Sequence, residues 1–185
     1  MEKVWKIKED GYDSDIGKLS EELNIDSVLT TLLVQRGIKT FDQAKAFFTP
    51  DMINLYDPFL MKDMSEAVER IEKAMSNGEK ILVYGDYDVD GTTSVALVYS
   101  FLSKYYDKLF YYIPDRYNEG YGISYKGIEY AELNRIKLII ALDCGIKATD
   151  KIKYAKGKGI DFIVCDHHTP GPNLPKAVAV LDPER

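Results

Sequence analysis

The stretch Lys80–Thr93, KILVYGDYDVDGTT, sets the architecture. Ile81 to Tyr84 is a short apolar run without polar alternation, which marks a strand buried on both faces. It ends in an acid-rich turn. A helix is expected from Thr92 to Tyr105, carrying Val95, Leu97, Val98, Phe101 and Leu102 at helical spacing. The same alternation continues outward. Leu109–Ile113 reads as a strand stopped by Pro114, Ser124–Asn134 as a helix, Lys137–Leu142 as a strand and Thr149–Lys158 as a helix. Asp161–Cys165 and Ala177–Leu181 complete five strands. Upstream, Ser65–Asn77 reads as a helix closed by Gly78, with Ala67, Val68, Ile71, Ala74 and Met75 on one face. Strands alternating with helices through short joints imply an α/β fold, a parallel five-stranded doubly wound sheet.

The first part of the chain differs in character. Asp26–Arg36 and Thr40–Phe48 read as two short helices. Gly37 stops the first, and Thr40 with Gln43 has capping-box spacing for the second. Asn54–Met64 reads as a connector. The expected organisation is a small helical N-terminal segment, residues 1–62, followed by an α/β domain, residues 63–185. A helix–turn–helix reading of residues 26–48 lacks the Arg and Lys cluster that a recognition helix carries.

Thirty acidic residues against 24 basic ones give the 185-residue chain a net charge of -6, which excludes binding nucleic acid by bulk attraction alone. No apolar run approaches the roughly 18 residues of a membrane span, so no membrane association is expected. The N-terminal stretch MEKVWKIKEDGYD lacks the apolar segment of a secretory leader. Cys144 and Cys165 are too few and too widely spaced for a disulfide framework. A cytoplasmic location is the expectation.

In a doubly wound sheet the ligand crevice lies beyond the carboxyl ends of the strands. The first strand runs into Asp86-Tyr87-Asp88-Val89-Asp90-Gly91, the third into Asp143-Cys144-Gly145, and the fourth into Asp166-His167-His168. Two carboxylates about 4 Å apart repel by about 4 kcal/mol at an effective dielectric near 20. Five aspartates at one edge multiply that repulsion, and Asp90 to Val98 contains no Lys or Arg. A divalent cation resolves the conflict. Carboxylate oxygen with imidazole nitrogen suits Mn²⁺, Fe²⁺ or Zn²⁺, and oxygen alone suits Mg²⁺. Two such ions can activate water and neutralise a phosphoester.

Blander readings account for less. An EF-hand loop starting at Asp86 requires Glu at its twelfth position, where Leu97 stands. An exposed acidic turn explains Asp86 to Asp90 alone. Helix capping accounts for Asp143 or Asp166 singly. No Gly-x-Ser-x-Gly elbow or Walker A loop is present, and acids beside the two thiols disfavour thiolate chemistry. Asp88-Val89-Asp90-Gly91-Thr92 also spells the first motif of haloacid-dehalogenase phosphatases, with Asp88 as nucleophile and Asp90 as acid/base. That reading leaves Asp166-His167-His168 without a role.

Gly85-Asp86-Tyr87-Asp88-Val89-Asp90-Gly91-Thr92-Thr93-Ser94, Leu142-Asp143-Cys144-Gly145 and Asp166-His167-His168, in that order, resemble the DHH phosphoesterase family. The segment Pro114-Asp115-Arg116-Tyr117-Asn118-Glu119-Gly120-Tyr121-Gly122 resembles the branch that degrades single-stranded DNA, rather than the pyrophosphatase, oligonucleotide or cyclic-dinucleotide branches. The resemblance implies a two-metal exodeoxyribonuclease of DNA repair and recombination, releasing 5′-mononucleotides from the 5′ end of single-stranded DNA. It implies Mn²⁺ or Mg²⁺, held by Asp86, Asp88, Asp90, Asp143, Asp166 and His167. It places Asp88, Asp90, Asp143, His167 and His168 in catalysis, and His168 also at the substrate. Arg116 is expected to hold a phosphate, with Tyr117 and Tyr121 stacking on bases. Family partners are single-strand-binding protein and a RecQ-type helicase. The family's fourth motif supplies a further Asp, and the sequence ends at Arg185 soon after the third. Weak metal binding and slow cleavage by the 185-residue chain are therefore expected. Relatives that lost these acids serve as non-catalytic scaffolds, whereas here the acids of three motifs are present.

Overall fold

The structure, a computed structural model, describes residues 4–6 and 13–185. The chain divides into two compact units, Met1–Tyr56 and Asp57–Arg185.

The first unit contains α1 (Asp13–Leu23), α2 (Ser27–Val34) and α3 (Phe41–Phe48), followed by a 3₁₀ turn at Met52–Asn54. The sequence reading assigns no element to α1, because Gly17 interrupts a segment with few apolar residues. Burial supplies what propensity lacks. Ile16 and Leu19 pack with Leu33, Val34 and Ala44, and Asp13 and Asp15 sit at the positive end of the helix dipole. Asp26 caps α2 through the Val28 amide, and the expected Thr40–Gln43 capping box closes the start of α3.

The second unit holds the 3₁₀ turn Pro58–Leu60, then α4 (Met64–Ser76), β1 (Lys80–Gly85), α5 (Val89–Leu102), β2 (Leu109–Tyr112), α6 (Tyr125–Leu133), β3 (Ile136–Leu142), α7 (Thr149–Gly157), β4 (Asp161–Cys165) and β5 (Ala179–Leu181). All five strands are parallel, in the order β2-β1-β3-β4-β5. The apolar strands alternate between two cores. Leu82, Tyr84, Ile139, Ala141, Phe162 and Val164 pack with Ile128 of α6 and Ile152 of α7. Ile81, Val83, Leu138, Ile140 and Ile163 pack with Ala74 of α4 and Val95 of α5. The sheet is therefore covered on both faces, as uninterrupted hydrophobic runs require.

Winding reverses beside β1, with β2 on one side and β3 to β5 on the other. Such a switch point leaves a crevice at the carboxyl ends of its neighbouring strands. The register aligns Gly85 with Leu142, and Leu142 with Cys165. The residues that follow these three, Asp86, Asp143 and Asp166, thus leave the sheet at one level.

Several boundaries differ from the sequence reading by a few residues, and the start of α5 matters most for the site. α5 starts at Val89, not Thr92, because the Asp88 carboxylate accepts from the Gly91 amide at 2.9 Å and caps the helix. This early start brings α5 hard against the end of β1. A Cβ on Gly91 would lie 2.4 Å from the Asp86 carbonyl oxygen, and one on Gly85 would lie 2.7 Å from that of Gly91. At Gly91 backbone meets backbone and no side chain can yield, whereas a Cβ on Gly85 would also meet Val95 Cγ2 at 2.4 Å. Gly91→Ala is expected to destabilise the second unit by about 1–3 kcal/mol, read as a lower thermal midpoint. An unchanged midpoint would contradict this close approach.

Candidate metal centre

The site grows from three turns. After β3 the chain reverses sharply. Asp143 adopts φ 59° and Gly145 φ 115°, both in the left-handed region that costs a non-glycine residue energy. Asp143 N–H still donates to Cys165 O at 2.8 Å, and Asp166 N–H to Leu181 O at 3.0 Å. The ladder thereby continues one residue past the strands and anchors both aspartates at their backbones.

Asp166 organises the histidine turn. Its Oδ1 accepts from the amides of His167 (2.8 Å) and His168 (3.1 Å) and pairs with His168 Nδ1 at 2.7 Å. Its Oδ2 accepts from Ile146 N–H at 2.9 Å. Burial alone would raise its pKa, but these amides and His168 outweigh burial and hold the carboxyl below its ordinary range. Asp166 raises the His168 pKa in return, against burial. Both Asp166 oxygens are thus engaged within the protein.

His167 Nε2 lies 3.0 Å from Asp143 Oδ1. Ligand atoms of Asp143, His167 and His168 fall within 4.8 Å of one another. Two atoms each about 2.1–2.4 Å from one ion can be at most about 4.8 Å apart, so this spread fits a common cation. Burial raises the Asp143 pKa, the Asp88 charge raises it further, and the His167 hydrogen bond opposes both. Asp88 therefore stands beside this group, although its carboxylate also caps α5. Asp86 is fully buried. Its Oδ1 accepts from Gly122 N–H at 3.2 Å, while Oδ2 has no partner. An unpartnered buried carboxylate oxygen is costly unless a cation sits by it. Asp90 is exposed in the first turn of α5.

The convergence also registers in neighbouring groups. Burial raises the Tyr121 hydroxyl pKa most, and Asp86, Asp143 and Asp88 each push it higher. Cys144 is raised by burial, then by Asp166, Asp86, Asp143 and Asp88. Cys165 is pushed up to about 12, by burial first and Asp166 second. Neither thiol is a nucleophile, as the sequence implies, but burial contributes more than the acids.

The segment between β2 and α6 forms the other wall. Tyr121 Oη lies 3.2 Å from His168 Nε2, and its ring meets Tyr87 edge-on at 6.0 Å. The Arg116 guanidinium lies 5.2 Å from the centre of the Tyr87 ring. Tyr117 is 91% exposed. Sequence reasoning missed Tyr87 as the seat of Arg116, and it missed Glu119. The Glu119 carboxylate accepts from the Tyr112 hydroxyl (2.9 Å), Asp115 N–H (2.9 Å) and the Ser124 hydroxyl (2.5 Å), bracing the loop that carries Arg116 and Tyr121. Loop acids leave no periodic signal, which is why Glu119 escapes a pattern search. Sequence reasoning also missed Lys147 and Lys151. They flank the start of α7 at i,i+4 spacing and line a cleft with Tyr121 and His168.

The fold and the order of these three turns define a DHH-type domain. The model of the DHH family, N-terminal domain, matches residues 80–185, and the chain belongs to that family. It is 41% identical over 181 residues to the single-stranded-DNA-specific exonuclease RecJ of Bacillus subtilis, covering 98% of this chain and 23% of that protein. It is 34% identical over 120 residues to the RecJ of Thermus thermophilus, covering 65% and 18%. The chain thus spans about a quarter or less of the curated relatives it matches. A crystal structure of exonuclease RecJ bound to manganese is similar with a TM-score of 0.64 and 32% identity, over 70% of this chain and 33% of that one. A crystal structure of RecJ in complex with Mn²⁺ from Thermus thermophilus shares the fold, with a TM-score of 0.68 and 24% identity over 92% and 23%. Family membership sets the haloacid-dehalogenase and EF-hand readings aside.

The Glu119 brace has a pH signature. Burial opposes ionisation, but the Asp115 amide and the Ser124 and Tyr112 hydroxyls hold its carboxyl below the ordinary glutamate value of 4.5. A carboxyl lowered on folding stabilises above its unfolded pKa, and that stability is lost as pH falls through the folded value. Amide NMR signals of residues 115–124 are expected to hold steady from pH 7 to about 5 and to broaden below 4.5. In Glu119→Gln the broadening is expected already at pH 7. A variant loop as ordered as the wild type would contradict the assignment.

Proposed function

We propose that the chain carries the metal-dependent catalytic core of an exonuclease that hydrolyses single-stranded DNA from its 5′ end in repair and recombination. Residues 63–185 form the catalytic domain and residues 1–62 its helical lead-in. The observation that carries the reading is the fully buried Asp86, whose Oδ2 has no partner, beside the compact Asp143–His167–His168 group. Oxygen and imidazole donors around an unpaired buried charge fit Mn²⁺, with Mg²⁺ as the oxygen-favouring alternative. The names of the relatives add single-stranded DNA as substrate and manganese as metal.

Asp86, Asp88, Asp90, Asp143 and His167 hold the ions in this reading. When bound, a pair of divalent ions supplies an ionised water and charge neutralisation for the phosphoester. The chain's own residues do the rest. Asp143 holds the His167 ring at hydrogen-bond distance. Asp166 acts through the histidines, since its oxygens are taken by Ile146, His167 and His168. With Asp166 ionised, His168 Nδ1 bears the proton, and in the neutral ring Nε2 accepts from Tyr121. When Tyr121 moves onto a base that nitrogen is freed, and in the imidazolium form, which Asp166 favours, it donates to a phosphate oxygen. Arg116, seated on Tyr87, holds a phosphate of the strand, and Tyr117, exposed at the loop tip, stacks on a base. Single-strand-binding protein and a RecQ-type helicase are the proposed partners, and the cytoplasm the proposed location. Among the described residues no helix is long and apolar enough to cross a membrane.

Strands labelled at the 5′ or the 3′ end, incubated with the protein over a series of Mn²⁺ and Mg²⁺ concentrations, test the reading. Slow, metal-dependent release of 5′-mononucleotides from the 5′ end of single strands is expected. Asp143→Asn and His167→Ala are expected to lower the rate by at least about 100-fold, beyond the 10–100-fold typical of outer-shell partners. Release only from the 3′ end, or equal cleavage of duplex, would overturn the substrate assignment.

A further inference from the structure

The acidic edge has a basic neighbour. A cleft of about 330 Å³ lies between Tyr121 and the first turn of α7, in the size range of small-ligand sites. The buried Ile123 and Ile146 give its lining an apolar part, and Tyr121, His168, Lys147 and Lys151 line it as well. The two ammonium groups differ. Lys151 Nζ donates to Ile123 O at 2.5 Å and lies 5.9 Å from the centre of the Tyr125 ring, so it is fixed in place. Lys147 is exposed, and no hydrogen bond engages its ammonium among the described residues. The one carboxylate lining the cleft, Asp166, is turned to its own amide and histidine donors.

A lining that combines an apolar part, an aromatic ring and two cations matches one nucleotide unit, with sugar or base on the apolar part and phosphate at the ammonium groups. We infer that this cleft is a nucleotide subsite next to the metal centre, in which Lys147 and Lys151 hold the phosphate adjoining the one that reacts. The inference rests on the proposed action on single strands and adds how the second unit of the strand is held. It also explains how a chain of net charge -6 draws a polyanion past its acids: the cations are local and sit one step from the metals.

The full chain is titrated with dTMP and with 5′-phosphorylated trithymidylate, with Ca²⁺ as the divalent ion and each strand checked as intact afterwards. The double variant Lys147→Gln/Lys151→Gln is expected to bind the trinucleotide about tenfold more weakly. Its slope of log K against log salt is expected to shrink by about 0.7 for each phosphate no longer held. Binding of dTMP, which lacks the adjoining phosphate, is expected to stay within about twofold. Because Lys151 also braces Ile123, Lys147→Gln alone is expected to show part of the loss, and Lys151→Arg to retain most of the affinity. Unchanged trinucleotide binding in the double variant, or equal weakening of dTMP and trinucleotide, would overturn the subsite and leave the nuclease reading standing. A wild-type chain that binds neither ligand would overturn both.

Discussion

The second unit is organised by a conflict of like charges at one edge of a parallel sheet. Register puts Asp86, Asp143 and Asp166 at a common level, with Asp88 close enough to disturb the ionisation of Asp143. Repulsion of about 4 kcal/mol per close pair is a large fraction of the stability of an ordinary domain. The turns are built to contain it. Asp166 accepts from three amides and pairs with His168, Asp143 pairs with His167, Asp88 accepts from the start of α5, and Asp86 accepts from Gly122 on one oxygen only. The remaining oxygen of Asp86 is a buried atom of this cluster for which the protein's own donors run out.

The same containment explains the backbone. Left-handed Asp143 and the glycines at 85, 91 and 145 are where the chain must turn or approach another backbone too closely for a side chain. Stability is conceded at these positions so that acids from three strands can share one pocket. Around them the walls are braced from outside the cluster. Glu119 ties down the loop that brings Tyr121 to His168, and Arg70 pins α4 to Glu79 and Asp161 at the far end of the sheet.

Much of this is legible in the residues alone. Uninterrupted apolar runs mark the strands and their double burial, and the rule that ligands gather at carboxyl strand ends places Asp88, Asp143 and His167 together. What escapes is long-range or aperiodic. α1 forms because Leu19 finds α2 and α3. The early start of α5 depends on a cap by the very Asp88 that reads as a ligand. Asp166 reads as a ligand too, yet its amide contacts can be seen only once the turn is folded. Lys147 and Lys151 read as solvated charges around a helix start, and only folding brings Tyr121, which follows a different strand, to the cleft they line.

If the three strand tips share divalent cations, paramagnetic broadening by Mn²⁺ reads that sharing without reference to turnover. Mn²⁺ added below one equivalent is expected to bleach the amide signals of residues 86–91, 143–145 and 166–168 together while those of α1 and α3 persist. Broadening spread over exposed acids such as Asp13 and Asp42, with the strand tips untouched, would contradict a shared cation site.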